Sequence, residues 1–383
     1  MRVLVVAGGY PPEIGGVQVA SDQIARGLQR RGHDVLVVAN VPGLKPRRYV
    51  HAGVRVRGVP FLLPGRKAFP FLCAYSFLAL LRTLLAFRPD LIYVHFVAEY
   101  APYLALLMPH RGSARLIISL RGNDVHLFPE QSTIMRRALQ SLCAQADAVT
   151  ACSASVLDDV RPYLPEQAPR LAVLRDGITP GDFSRPDPGP SHGRPYILAV
   201  ARFVKKKGLP ILLRAMPAVL QMVPDVDLLV VGDGPEGEHL REMVAQLNLG
   251  QRVRFLGALT NAEAIRWMMG CELFVLPSLR EPLGIVNLEA MACGRAIVAT
   301  RVDGVPEIVE HEVNGLLVPP DDPDALANAI VTLLRDPEKR RAMGERGRQK
   351  ALTSHTWDRY VDQLLDLYQP HVHALRRATK YES

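Results

Sequence analysis

Short apolar runs recur along the whole chain, and each is followed by a segment with helical periodicity. This alternation is typical of parallel sheets covered by helices, so the sequence predicts an α/β fold. The predicted strands are residues 3–7, 34–39, 91–96, 115–120 and 148–153 in the first half, and 196–201, 226–232, 253–257, 273–278 and 296–301 in the second. We therefore expect two Rossmann-like domains, each with a doubly wound parallel sheet.

A segment without apolar periodicity separates the two sets of strands. Residues 184–195 contain four prolines and two glycines, a composition typical of a linker. We predict a first domain over residues 1–184, a second over 185–355, and a C-terminal helix within 356–383 that packs back across both lobes. Because open α/β sheets bind ligands at the carboxyl ends of their strands, we expect the active site in a cleft where the two domains face each other.

Residues 68–87 form one longer apolar segment. Its 20 residues are enough to cross a membrane, but Pro70 lies near its start and Arg82 lies well inside it. We expect a core helix first, a helix with a membrane-facing side second and a true span last.

Composition indicates the cellular compartment of the protein and the kinds of partner that it can bind. The five cysteines are scattered and form no CxxC pair, so no disulfide framework or zinc site is encoded, and a reducing, cytoplasmic compartment fits best. Residues 1–185 hold 22 Lys and Arg against 13 Asp and Glu, whereas the remainder holds 24 against 25. A basic first domain suits an anionic membrane surface, so we expect peripheral contact at the inner face of the cell membrane. No nucleic-acid-binding signature is present, and no nucleic-acid partner is expected.

The most informative pattern is SLREPLGIVNLEAMACG, residues 278–294. It predicts a strand end, a turn and a helix that opens at Pro282, with Glu281 at the helix entrance and Glu289 eight residues later. Eight helical residues rise by about 12 Å, so the two carboxylates could hold separate parts of one long ligand. A plainer interpretation is that Glu281 caps the helix and Glu289 lies on the surface.

Groups suited to an anion accompany these carboxylates. The main-chain amides of Leu283, Gly284 and Ile285 follow Glu281 at a helix N-terminus, a position that favours a phosphate. Arg202 and Lys207 follow the strand 196–201, where they can neutralise a diphosphate leaving group. The ligand implied is a sugar, a diphosphate and a ribose in series.

A glycine-rich turn follows the first strand and opens a helix near Val17. There Gly15 and Gly16 allow the backbone to approach an anion, although the turn alone is a weak signal.

Together these segments resemble the retaining nucleotide-sugar glycosyltransferases of family 4, which share the two-Rossmann-domain B-type fold (GT-B). The resemblance covers nearly the whole chain. It includes the glycine-rich first loop, LIYVH at 91–95, RGND at 121–124, DGIT at 176–179, Asp182 with Phe183, Arg202 with Lys207, GDGP at 232–235, and the helix of Glu281 and Glu289 followed by AMACG.

The resemblance implies an activity and a role for each matching residue. It implies transfer of a hexosyl group from a UDP- or GDP-sugar to a glycan or lipid-linked acceptor, as in polysaccharide biosynthesis, with no metal or cofactor. In its front-face mechanism the departing phosphate oxygen accepts the proton of the acceptor, and the anomeric configuration is retained. The catalytic residues implied are Arg202, Lys207 and Glu281, and the donor-binding residues are Gly15, Gly16, Gly234, Leu283, Gly284, Ile285 and Glu289.

One position departs from the family pattern. Members often carry His before Gly-x-Asp, and here that position is Arg121, which cannot act as a base but can contact sugar or phosphate oxygens. Asp124 would orient Arg121 or cap the next helix. Further contacts to donor or acceptor are expected from His95, Gln18 and Tyr10, and Glu99 is a further candidate for the acceptor side.

Four other interpretations remain at this stage. A protein of the same fold could bind a nucleotide-sugar as a regulator or serve as an inactive partner of another transferase, although the presence of Arg202, Lys207, Glu281 and Glu289 together argues against this. A sugar-nucleotide epimerase of the same architecture would need no acceptor. The glycines at 232, 234 and 237 spell GxGxxG after a strand, as in NAD-dependent oxidoreductases, but Glu236 and Glu238 disfavour a pyrophosphate there. Asp225 and Asp227 form a DxD pair of the kind that holds a metal, but they precede their strand, at the wrong end for ligand binding.

Overall fold

Two sheets organise the chain in the computed structural model, which describes residues 1–13, 15–41, 46–62, 70–184, 189–190 and 192–369. The first unit comprises Met1–Arg175 and the helix that starts at Trp357, and the second comprises Asp176–Thr356. Each unit has its own apolar core, so the prediction of two α/β domains with doubly wound sheets is confirmed.

The first unit contains an eight-stranded sheet. Its strands are β1 (Arg2–Ala7), β2 (Asp34–Asn40), β3 (Arg47–His51), β4 (Val54–Val59), β5 (Leu91–His95), β6 (Arg115–Leu120), β7 (Ala148–Ala151) and β8 (Arg170–Val173). The spatial order is β3-β4-β2-β1-β5-β6-β7-β8, with β3 antiparallel to β4 and the other pairs parallel. The helices are α1 (Gly16–Arg30), α2 (Pro70–Phe87), α3 (Ala101–Leu107), α4 (Asn123–His126), α5 (Phe128–Gln131), α6 (Thr133–Gln145), α7 (Ala154–Val160) and, at the C-terminus, α15 (Trp357–Tyr368).

The second unit contains a parallel six-stranded sheet. Its strands are β9 (Tyr196–Val200), β10 (Asp227–Val231), β11 (Val253–Gly257), β12 (Leu273–Leu276), β13 (Ile297–Thr300) and β14 (Gly315–Val318), in the order β11-β10-β9-β12-β13-β14. Its helices are α8 (Leu209–Met222), α9 (Gly237–Gln246), α10 (Asn261–Gly270), α11 (Ile285–Ala292), α12 (Val305–Ile308), α13 (Pro323–Arg335) and α14 (Pro337–Ser354).

The boundary between the units lies nine residues before the predicted one at 184. Ile178 N–H donates to His355 O, and Arg348 Nη2 donates to Phe183 O at 3.2 Å. These bonds attach the segment before the linker to the second unit. The linker residue His192 is attached there too, since its Nε2 lies 2.9 Å from the buried carboxylate of Asp227, the second residue of the DxD pair.

Helix α15 completes the core of the first unit. Its apolar face buries Trp357, Tyr360, Val361 and Leu364. The hydroxyl of Tyr360 lies 2.6 Å from Tyr93 Oη on β5 and 3.2 Å from Ser119 Oγ on β6. The sequence predicted this helix, and its side chains are part of the first core. Its packing across both lobes stays a prediction.

Helix α2 takes up the described part of the apolar segment 68–87. Its inner face buries Ser76, Ala79, Leu80 and Thr83, while Phe71 and Leu85 on the opposite face are 90% and 63% exposed. None of the helices formed by the described residues has both the length and the apolar character to cross a membrane.

Among its parallel strands, each sheet has one position where the strand order reverses. In the first sheet β1 lies between β2 and β5, and in the second β9 lies between β10 and β12. In open α/β sheets the loops at the carboxyl ends of such strands diverge and leave a crevice that binds ligands.

Candidate functional site

Two loops meet at the reversal point of the second sheet. The loop after β9 contains Lys206 and Lys207, and the loop after β12 contains Glu281. The carbonyl of Lys206 accepts hydrogen bonds from the N–H groups of Leu279 at 2.7 Å and Arg280 at 3.2 Å. The two loops therefore form one rigid edge at the carboxyl ends of their strands.

An ion pair links the side chains of these loops. Lys207 Nζ lies 2.5 Å from Glu281 Oε2, and Ser278 Oγ donates to the same oxygen at 3.0 Å. The main-chain N–H of Glu281 donates to Asp303 Oδ2 at 2.7 Å. Glu281 is only 6% exposed, and Lys207 and Ser278 hold one oxygen of its carboxylate while Asp303 holds its main chain. The sequence placed Glu281 and Lys207 at two separate strand ends, and the structure brings them into contact.

Further positive charge surrounds this pair. Burial lowers the pKa of Lys206, and so do the neighbouring cations Lys207, Arg202 and Arg280, whereas Glu281 raises it. Repulsion among these groups would be relieved by a bound anion such as a diphosphate. Sequence reasoning missed Lys206 and Asp303. Neither residue stands in a recognisable motif, although the run of three lysines at 205–207 was a visible signal.

Helix α11 begins at Ile285, three residues later than the Pro282 start that the sequence indicated. The reason is Gly284, which precedes the helix with φ 91° and ψ 66°. A Cβ at Gly284 would lie 2.8 Å from Asn287 Nδ2, so no larger residue fits without a shift. Glu281 and Leu283 thus lie in the loop, and the helical separation expected between Glu281 and Glu289 does not apply.

Glu289 lies in the second turn of α11 and is half-buried. Its Oε1 accepts a hydrogen bond from Asn261 Nδ2 at 2.7 Å. The pKa of Glu289 is raised to about 7, chiefly by burial; the hydrogen bond from Asn261 acts to lower this pKa, and the nearby Asp182 acts to raise it. This carboxyl is therefore poised between its two protonation states near neutral pH.

The glycines of the GxGxxG segment have a packing role. A Cβ at Gly234 would lie 2.6 Å from Phe203 O, and one at Gly232 would collide with Ala201 O. Both glycines allow the loop after β10 to lie against the loop that carries Arg202. Packing accounts for these glycines without a dinucleotide.

In the first unit, the predicted contact residues divide into accessible and buried ones. Gln18 lies over Gly9 and Gly15, at the N-terminus of α1. Tyr10 is only 1% exposed and donates to Asp22 at 2.9 Å, so its hydroxyl is occupied inside the core. His95 is fully buried at the end of β5, and its Nδ1 lies 3.2 Å from Tyr93 Oη.

Asp124 is buried and acts on the main chain of the RGND segment. Its carboxylate accepts from the N–H groups of Arg121 at 2.9 Å, Gly122 at 2.8 Å and Val97 at 3.2 Å. It therefore holds the loops after β5 and β6 together, and the N-cap position of α4 belongs to Gly122. Burial raises the pKa of Asp124 to about 6 even though these three N–H groups and Arg121 lower it.

Within the described ranges, no group of three or more His, Cys, Asp and Glu side chains is arranged to hold a metal ion.

Comparison with known proteins covers both units. Residues 15–177 match the model of the glycosyl transferase 4-like domain, and residues 182–350 match that of glycosyl transferases group 1. An uncharacterized glycosyltransferase of Methanocaldococcus jannaschii is 26% identical, over 96% of this chain and 98% of that protein. The GDP-mannose-dependent α-(1-6)-phosphatidylinositol monomannoside mannosyltransferase of Mycolicibacterium smegmatis is 31% identical, over 93% of this chain and 95% of that protein.

Solved structures show the same fold. Sucrose-phosphate synthase from Thermosynechococcus elongatus superposes with a TM-score of 0.80 at 24% identity, over 98% of this chain and 99% of that one. Anabaena HepE in complex with UDP-glucose superposes with a TM-score of 0.74 at 22% identity, over 96% and 98% of the two chains. The architecture is the B-type glycosyltransferase fold. The chain belongs to the family 4 glycosyltransferases, and it is a glycosyltransferase enzyme.

Proposed function

We propose that the chain transfers a sugar from a UDP- or GDP-sugar to a glycan or lipid-linked acceptor, with retention of configuration and without a metal ion. The observation that carries the proposal is the contact of Lys207 with Glu281 beside the N-terminus of α11, within a cluster of cations at the reversal point of the second sheet. The mannosyltransferase relative is named for its use of GDP-mannose, and the Anabaena protein was solved with UDP-glucose, which supports a nucleotide-sugar donor.

In this proposal, different residues of the second unit bind different parts of the donor. Arg202 and Lys207 bind the diphosphate, the loop from Glu281 to Ile285 binds its oxygens and the sugar, and Glu289 binds the ribose hydroxyls. As the sugar–phosphate bond breaks, negative charge grows on the departing phosphate, and the cations and the dipole of α11 stabilise it. The departing oxygen takes the proton of the acceptor hydroxyl, which attacks from the same face and gives retention.

Thermal stability with nucleotides tests the donor proposal. UDP, GDP and ADP and their sugars are added in the presence of EDTA, with NAD as a negative control. We expect one nucleoside diphosphate class to raise the Tm, because a ligand that binds only the folded state stabilises it. Glu289→Ala should lose this effect, and Glu242→Ala, at an exposed glutamate of α9, should keep it. Stabilisation by NAD alone would contradict the proposal.

Retention is tested on the released sugar. Proton NMR of donor hydrolysis, recorded before mutarotation, should show the anomer of the donor. Release of the opposite anomer would exclude a front-face mechanism. An acceptor-independent conversion of the donor into another nucleotide-sugar would favour the epimerase.

We also propose that the protein works at the cytoplasmic membrane face through α2. Phe71, Tyr75, Leu78 and Leu85 are exposed at helical spacings that place them on one face, together with the exposed Arg82. An apolar stripe with a cation suits the interface of an anionic bilayer.

Flotation with vesicles tests the membrane proposal. The wild-type protein should float with vesicles that contain phosphatidylserine and not with phosphatidylcholine alone. The double variant Phe71→Ser, Leu85→Ser should stay at the bottom of the gradient. Leu106→Ser, which changes an exposed apolar residue of α3, is the matched control and should float. Absence of wild-type binding at low salt would rule out the proposal.

A further inference from the structure

Glu281 lies in a segment that is neither helix nor strand, between Leu276 at the end of β12 and Ile285 at the start of α11. Its place therefore depends on bonds to neighbouring loops. The Glu281 N–H donates to Asp303 Oδ2 at 2.7 Å, and the Gly304 N–H donates to Glu281 O at 3.3 Å. The loop after β13, residues 301–304, thus binds both main-chain polar groups of Glu281.

The backbone of Asp303 is strained. Its φ is 41°, in the left-handed region that glycine adopts freely and an aspartate adopts at a cost in free energy. Residues in such conformations persist where surrounding bonds hold them, and they cluster at functional sites. A glycine at this position would fit the backbone better, but it could not accept the bond from Glu281 N–H. The strain therefore points to a role for the carboxylate.

The bond to Glu281 is the main contact of this carboxylate. Arg280 Nε lies 3.4 Å from the same oxygen of Asp303, but the Arg280 side chain is exposed, and exposed ion pairs contribute little. The hydrogen bond from Glu281 N–H is short and goes to a charged acceptor that is largely shielded from solvent, which makes it the stronger of the two.

We propose that Asp303 is a positioning residue for the transfer, because its carboxylate fixes the main chain of Glu281 and so places the Glu281 side chain against the sugar of the donor. This inference rests on the proposed function and adds to it a residue that acts through Glu281. Lys207 and Ser278 hold one oxygen at the far end of the Glu281 side chain, and Asp303 holds the near end. A misplacement of about 1 Å is enough to weaken catalysis strongly, even when the changed residue is remote from the reacting atoms.

Calorimetric titration of each nucleotide-sugar and its nucleoside diphosphate tests the inference, with UDP-glucose and UDP as one pair and GDP-mannose and GDP as the other. Asp303→Gly removes the bond to Glu281 N–H, and glycine retains the left-handed backbone. The Kd of the nucleotide-sugar that the wild type binds should rise about tenfold, because Glu281 is no longer held against the sugar. The Kd of the nucleoside diphosphate should stay within about threefold, because other residues bind that part. A purely structural residue would weaken the binding of both ligands alike.

Two further variants isolate the hydrogen bond. Asp303→Asn retains an oxygen that can accept from Glu281 N–H, and asparagine also tolerates the left-handed backbone, so it should bind the nucleotide-sugar within about threefold of wild type. Asp321→Gly is the matched control. Asp321 also has a positive φ, 56°, and also pairs with an arginine, Arg214 at 3.5 Å. Its replacement should leave both Kd values unchanged.

The outcomes separate the inference from the proposed function. If the wild type binds none of the four nucleotides, the proposed function fails and the inference fails with it. With wild-type binding intact, three results would overturn the inference alone. They are an unchanged Kd for the nucleotide-sugar in Asp303→Gly, an equal loss of affinity for the nucleotide-sugar and its nucleoside diphosphate, and a loss in Asp303→Asn as large as that in Asp303→Gly.

Discussion

Lys207 Nζ and Glu281 Oε2 lie 2.5 Å apart and join the loops after β9 and β12. Their side chains are 17% and 9% exposed, so removing one partner leaves a charge in a partly desolvated site. Lys207→Met and Glu281→Gln should each lower the free energy of unfolding by about 2–4 kcal/mol. The double variant should lose less free energy of unfolding than the sum of the two single variants. In a double-mutant cycle measured by urea unfolding, the coupling energy between Lys207 and Glu281 should be about 1 kcal/mol or more. Additive effects would show that the pair does not act as a unit.

The carboxyl of Glu289 should make stability depend on pH. Its pKa is raised from 4.5 to about 7, so the folded state binds this proton more tightly than the unfolded state. The stabilisation is complete below about pH 4.5 and is lost as the pH rises through about 7, which amounts to roughly 3 kcal/mol at most. The free energy of unfolding should therefore fall over this window relative to Glu289→Gln. Parallel profiles of the two proteins would contradict the prediction, and Glu242→Gln should follow wild type.

Asp124 satisfies three main-chain N–H groups in two loops. Asp124→Ala leaves these buried donors without their acceptor and should cost about 3 kcal/mol or more, and Asp124→Asn, which keeps one acceptor oxygen, should cost less. Chemical denaturation measures both. Asp158→Ala, at an exposed aspartate of α7, should leave the unfolding free energy nearly unchanged. Equal stability of Asp124→Ala and wild type would mean that other groups take over these bonds.

The hydroxyl of Tyr360 connects α15 to two strands of the first sheet. Tyr360→Phe keeps the packed ring but removes both hydrogen bonds, so it should lower the free energy of unfolding by about 1–2 kcal/mol. Tyr368→Phe removes a hydroxyl from the half-buried last residue of the same helix and is the matched control. A larger loss in the control would place the main attachment of the helix at its C-terminal end.

Ten parallel strands were predictable because most of them are continuous apolar runs. Strands β3, β4, β8 and β14 were not predicted: β3, β8 and β14 lie at sheet edges, and β4 alternates apolar residues with Arg55 and Arg57. The start of α11 was misplaced because proline at 282 suggests a first helical turn, whereas Gly284 adopts a left-handed conformation that no periodicity reveals. The domain boundary depends on hydrogen bonds that join Ile178 to His355 and Phe183 to Arg348, about 170 positions apart in the sequence. Local sequence patterns do not reveal such distant contacts.

The charged residues of the second-unit site were easier to predict than the residues that hold them in position. Charged residues at strand ends indicated Arg202, Lys207, Glu281 and Glu289 as candidates. Asp303, which binds the main chain of Glu281, comes from the loop after β13 and follows no motif.

The return of α15 to the first unit has a consequence for the order in which the protein folds during synthesis. Residues Asp176–Thr356 form a complete unit, and they leave the ribosome before Trp357 does. The first unit, although its strands are made first, must wait for Trp357, Tyr360 and Val361 to close its core. In most multidomain proteins the N-terminal domain folds first during translation. Here the later unit can close first, and the nascent first unit exposes an apolar face until the final helix is released.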